Sequence, residues 1–202
     1  MDTEKRHAQL RDVLTDAAVQ AIAKEGLPGL KARALAEQAG CAVGAIYNVV
    51  ADLDELILRA NARTLANLEQ ALAAVSASGK GPDWAISQLV ALALAYLEFA
   101  AAHRLPWRAL FDHRLAPGRE TPQWYQRDLA RLFDTIERPI AALQPNASAE
   151  RRLLLARSLF SATHGVVALG LEEKLQPIPL GALHEQVTII VTALGYGLAG
   201  GD

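Results

Sequence analysis

Residues 30–50, LKARALAEQAGCAVGAIYNVV, hold side chains whose chemistry suits a polyanion and the edges of flat heterocycles. Lys31 and Arg33 are cations, the Tyr47 hydroxyl can donate to a phosphate oxygen, and the Asn48 carboxamide can pair with an adenine edge. Gly44 leaves its own amide unobstructed near a helix start, and Val43 and Ala45 offer small apolar surfaces that match a thymine methyl group. Rival chemistries lack their residues. The single Cys41 excludes a disulfide framework and a cysteine-based zinc site. There is no glycine-rich nucleotide loop, no nucleophile elbow and no metal-spaced histidine pair on a helix, and the Glu4-x-x-His7 pair lies in the charged opening segment. The chain is therefore read as a non-enzyme that needs no cofactor and no metal.

These groups act together only if two short helices present them. A helix-turn-helix needs a small residue where its helices cross, a turn residue tolerant of positive φ, and apolar anchors facing a supporting helix. Ala36 meets the first need, Gly40 the second, and Leu35, Ala39, Cys41, Ile46 and Val49 the third. The spacing predicts helices over Lys31–Ala39 and Val43–Val49, supported by a first helix from Arg6 to Ala23 that Gly26 stops. DNA binding accounts for this joint pattern better than an ordinary helical hairpin. For Tyr47 the alternative is a packing aromatic in the three-helix core, and for Lys31 and Arg33 a merely solvated face.

The remainder reads as helix throughout. Alanine and leucine fill about a third of the 202 positions, hydrophobic residues make up 51% and charged ones 21%, a balance favouring packed helix over strand or disorder. Asp52 can cap a fourth helix and Glu55 can reach back to the cap. SASGKGP separates that helix, near Ser76, from a fifth over Asp83–His103 that is apolar nearly all round and should be core. Beyond a short helix in HRLPWRALFDHRLAPGRE, Thr121-Pro122 opens a helix that Pro139 should kink, followed by helices over Ser148–Leu175 and Ala182–Leu198. No charge-free stretch reaches the ~18 apolar residues a membrane span needs, and the charged start carries no secretory signal, so a cytoplasmic protein without a membrane partner is expected.

From about residue 10 to residue 60 the chain resembles the TetR family of bacterial transcription regulators. The first helix ends KEGL, followed by ARALAEQAG, VGAIYN and DLDELI. FSATHGVVAL looks like a His-Gly element found in one type of TetR C-terminal domain. The resemblance implies an all-α chain: a three-helix DNA-binding domain over residues 1–51, then a helical ligand-binding and dimerisation bundle over residues 52–202. It places the third helix in the major groove, so that Tyr47 and the Gly44 amide meet phosphates with Lys31 and Arg33 nearby, while Asn48, Val43 and Ala45 face base edges. Three positions depart from the family: Val50 stands where a phenylalanine is usual, Leu53 where a phosphate-binding lysine is usual, and Ala42 where a serine or threonine caps the third helix. These losses weaken phosphate anchoring.

The net charge is −2, and residues 1–50 hold six Lys or Arg against six Asp or Glu, so one copy neutralises few phosphates. A homodimer on a palindromic double-stranded operator is expected to supply the rest, acting as a repressor released by a small-molecule effector. Leu155, Leu159, Ala162, Val166 and Leu169, beside small residues at Ser158, Ser161, Gly165 and Ala168, could meet a partner copy together with Leu183, Val187, Ile190 and Leu194. The same stripes could instead complete the protomer core. Tyr96, Phe99, Trp107 and Phe111, with His103, Arg104 and Arg108 as polar handles, are the candidate effector contacts. His164, on an apolar helix, reads as a hydrogen-bonded interior histidine. The competing readings are a helical dimerisation or adaptor protein whose helix-turn-helix no longer binds DNA, for which Val50, Leu53 and the neutral N-terminal half are the best support, and, with less behind it, an all-α small-molecule enzyme.

Overall fold

The computed structural model describes residues 2–176 and 178–200. Among these the chain is all-helical: α1 (Asp2–Glu25), α2 (Ala32–Gln38), α3 (Val43–Ile46), α4 (Leu53–Ala73), α5 (Gly81–Ala102), α6 (Arg104–Asp112), α7 (Gln123–Leu143), α8 (Ala149–Gly170) and α9 (Leu180–Ala199). Two compact units divide it. One comprises residues 1–67 and 103–128, the other residues 68–102 and 129–202.

In the first unit, Leu14, Ala17, Ala18 and Ile22 recur at helical spacing along α1 and are buried with Leu35, Ala36, Ile46, Val49, Val50, Leu56 and Ala109. Gly26 follows the end of α1 at φ 70 and ψ −166, a positive-φ conformation open essentially to glycine alone. Helix α6 packs on α1 within this unit. The expected cap of α4 forms: the Asp52 carboxylate accepts the Glu55 amide at 2.9 Å, and Glu55 reaches back to the Ala51 amide at 2.7 Å, one residue before the cap. Helix α7 begins one residue later than Thr121-Pro122 suggests. The Pro122 carbonyl accepts the amides of Tyr125 and Gln126, and Thr121 offers its backbone carbonyl to the Gln126 side chain.

The second unit is built on α5. Ile86, Leu89, Leu92, Ala93, Tyr96, Leu97 and Phe99 are buried along one broad face of it, while Val90, Ala91, Leu94 and Ala95 on the other side are only half-buried, so the helix is core on one face rather than all round. Helix α9 lies against α5 and α8 against α9. The α5–α9 approach depends on Gly195, where an added Cβ would sit 2.9 Å from Ile86. Helix α8 stops at Gly170, short of the expected Leu175, and an added Cβ at Gly170 would sit 2.5 Å from Leu183, so glycine there lets α9 lie close. Leu159, Leu183 and Val187, read from sequence as candidate partner contacts, are buried inside the protomer. Helices α5 and α8 are each long and apolar enough by composition to cross a membrane, because a helix tolerates the occasional charge that ends a charge-free stretch. In α5 half of that apolar window is buried within the protein.

Candidate nucleic-acid interface

Helices α2 and α3 are joined by a hydrogen-bonded turn that follows from the local sequence. The Cys41 amide donates to the Ala36 carbonyl at 2.9 Å and the Gly40 amide to Glu37 at 3.1 Å, the paired bonds of a Schellman helix end. That ending requires a left-handed residue, and Gly40 lies at φ 64. Leu35 and Ala36 on one side and Ile46, Val49 and Val50 on the other are then drawn into the core. Val50, where the family usually carries phenylalanine, fills a buried position, and Leu53 packs against the same cluster.

Burying that face turns the opposite one outward. Val43, Gly44, Tyr47 and Asn48 are exposed, with Tyr47 at 50%, while Ala45 is half-buried. Tyr47 therefore lies outside the three-helix core. Lys31 and Arg33 are exposed beside them. A Cβ added to Gly44 would meet nothing within 4 Å, so no packing inside the chain demands glycine there. Ala42, extended at φ −72 and ψ 147, gives α3 no side-chain cap. Regular helix ends at Ile46, earlier than the expected Val49, and residues 47–49 continue as turn, with the amides of Val49 and Val50 both donating to the Ile46 carbonyl at 3.0 Å.

Two sets of positioning contacts escape a reading by spacing. Arg11 of α1 donates from Nε to the Val49 carbonyl at 2.8 Å, holding the end of the 43–49 segment, and Gln38 donates to Gln20 at 2.6 Å, tying α2 to α1. The start of α4 is held from the α6–α7 connection: the Arg119 guanidinium pairs with Asp52 and lies 3.5 Å from Asp54, and His113 Nε2 is 3.1 Å from Asp54. The Glu55 amide, aided by Arg119 and opposed by partial burial, holds the Asp52 carboxyl below its ordinary value. Glu55 in turn accepts from Arg59 at 2.7 Å.

The effector candidates fall into both units. In the first, Trp107 is buried and meets Phe111 edge to face at 5.7 Å, Phe111 is 41% exposed, and Arg108 pairs with Asp112 at 3.5 Å. His103 and Arg104 stand at the start of α6, where the His103 carbonyl accepts the Trp107 amide. In the second, Phe99 is buried and Tyr96 packs against Phe160, its hydroxyl 2.7 Å from His164 Nδ1. Burial pushes the His164 imidazole below its ordinary value, and a neutral ring can accept the Tyr96 proton at Nδ1. The unfolded chain takes up a proton at the ordinary value of 6.5, before the folded one does. This contribution to stability is thus complete above that pH and declines as pH falls below it. A His164→Gln variant is expected to show a flatter Tm–pH curve than wild type on the acid side; parallel curves would exclude this account.

Residues 89–194 match the family model described as "Tetracyclin repressor-like, C-terminal domain". Among solved structures the chain is similar to a protein with unknown function from Rhodococcus sp. RHA1, at 28% identity and TM-score 0.68, covering 94% of this chain and 95% of that one. It shares its fold with a TetR-family transcriptional regulator from Streptomyces coelicolor at 19% identity and TM-score 0.68, covering 96% and 84%. The same holds for RolR, solved in complex with resorcinol, at 16% identity and TM-score 0.65, covering 98% and 97%. No curated protein matches it.

Proposed function

The chain belongs to the TetR family of DNA-binding transcriptional regulators, and from that premise we propose that it is a cytoplasmic, homodimeric repressor released from a palindromic operator by a small-molecule effector. It carries out no catalysis. In this reading residues 1–51 form the DNA-binding domain and residues 52–202 the ligand-binding and dimerisation domain. The observation that carries the reading is the outward face of residues 43–49, α3 and the turn after it: Val43, Gly44, Tyr47 and Asn48 exposed over a buried Ile46 and Val49.

On the operator, Tyr47 and the Gly44 amide contact phosphates, Lys31 and Arg33 add local positive charge, and Asn48, Val43 and Ala45 meet base edges. The effector contacts are drawn from Tyr96, Phe99, His103, Arg104, Trp107, Arg108 and Phe111. The resorcinol complex of RolR supports an aromatic effector as one option. Release follows from a population shift, in which the effector prefers a conformation whose reading heads no longer match the duplex. Helix α4 carries the shift, because it starts directly after the reading segment and its first residues are gripped by Arg119 and His113.

An electrophoretic shift assay with DNA flanking the coding sequence tests this reading. A saturable shift at low salt is expected; its absence would favour the adaptor alternative. Asn48→Ala should relax preference at one base pair by about 1–3 kcal/mol. Tyr47→Ala should weaken binding to all sequences. Identical effects from both would overturn the contact assignment.

A further inference from the structure

The second unit contains an open cleft of about 760 Å3 that the candidate effector residues do not line. Its walls are the end of α4, the connection into α5, the start of α5 and the end of α7. That volume lies within the ~300–1,000 Å3 range of small-molecule sites. Leu72, Leu92, Trp84 and Pro139 give it apolar surface. Its charged lining consists of Lys80 and Arg138, with no carboxylate among the lining residues. Neither cation makes an ion pair among the described residues, although Asp134 lies one helical turn from Arg138. Two exposed cations beside apolar walls, with no carboxylate in the lining, favour an anion at this cleft.

The connecting wall is held in place. Trp84 Nε1 donates to the Ala77 carbonyl at 3.0 Å, the Ala77 amide donates to Gln88 Oε1 at 2.6 Å, and Gln88 Nε2 donates to the Val75 carbonyl at 3.4 Å. Gly79 and Gly81, at φ 122 and 74, turn the chain at the rim in conformations closed to most residues. Pro139 has no N–H to offer the Thr135 carbonyl one turn back, which leaves an acceptor on a lining residue without its helical donor.

The geometry points to a binding site for a small organic carboxylate with an apolar body, the carboxylate set between Lys80 and Arg138 and the body against Trp84, Leu72 and Leu92. As a binding site this stands alone; as the effector site it rests on the regulator reading above.

The test uses the full-length protein and calorimetric titration with benzoate, 4-phenylbutanoate and decanoate, each paired with its neutral amide. At least one acid is expected to bind, with its amide about tenfold weaker, because a charged partner strengthens a hydrogen bond by more than 1 kcal/mol. The Lys80→Gln/Arg138→Gln double variant, both sites being exposed, should keep its unliganded Tm and lose the preference for the acid. The proposal is overturned if none of the acids binds, if acid and amide bind alike, or if the double variant retains the preference. A DNA shift assay on the same preparation separates the two readings. Acid binding without a DNA shift sinks the regulator and leaves the cleft, whereas a DNA shift without acid binding does the reverse.

Discussion

Replacing Leu169 and Ile189 together by glutamate is expected to leave the protomer folded but monomeric, and to lower operator affinity by about 10²- to 10⁴-fold, the advantage two linked sites have over one. The expectation rests on how α8 and α9 divide their apolar residues. Leu159, Val167, Leu183, Val187 and Val191 are consumed inside the protomer, whereas Leu169 at 63% and Ile189 at 53% remain exposed together with Leu154, Leu194 and Tyr196 on the same two helices. Large apolar side chains left exposed on two helices are what an association surface would use, and in a two-fold dimer each substitution acts twice. Substitutions at exposed sites usually change stability by only about 0.5 kcal/mol, so the loss should fall on assembly. The dependence on assembly is strong because six cations offset by six anions in residues 1–50 give one reading head little hold on a phosphate backbone. Sedimentation and a DNA shift assay on the same variant provide the check. A variant that remains dimeric would place the interface elsewhere, and a monomer that binds DNA as tightly as wild type would show that one head suffices.

The parts of this molecule that could be read from sequence are those decided within a few residues. Gly40 needed only its neighbours to be recognised as a left-handed turn, and Asp52 and Glu55 needed only their three-residue spacing to cap α4. The place of α5 in the core was legible only in part: its composition marks a buried helix, but which face is buried depends on the helices packed against it. Legibility ended where a choice depended on distant chain. Periodicity marks an apolar stripe on α9 but does not say that Leu183 and Val187 turn inward, because that depends on α5 and on the space left at Gly170 and Gly195. Arg11, Arg119 and His113 stand in no local motif. Their partners lie 38, 67 and 59 positions away, and local spacing carries no signal over such separations.

Those distant contacts also show why affinity and stability should be separable within the reading segment. Tyr47 and Ile46 are adjacent, yet one is half exposed and the other is 0% exposed in the core with Leu14, Ala18, Leu35 and Val50. Ile46→Ala removes most of a fully buried side chain, so it should cost about 2–5 kcal/mol in unfolding free energy, as buried aliphatic truncations do. Against a total of about 5–15 kcal/mol for a typical domain, that is enough to leave a visible unfolded population or to lower the urea midpoint sharply. Ile46→Val should cost only about 0.5–1.5 kcal/mol. Tyr47→Ala should leave the midpoint nearly unchanged while weakening DNA binding, because its ring contributes little to the core. Urea unfolding followed by circular dichroism, set beside DNA titrations of the same three variants, distinguishes the effects. Should Ile46→Ala lose less than about 1 kcal/mol, α3 would not be seated on the core as described, and the outward placement of Tyr47 and Asn48 would lose its physical cause.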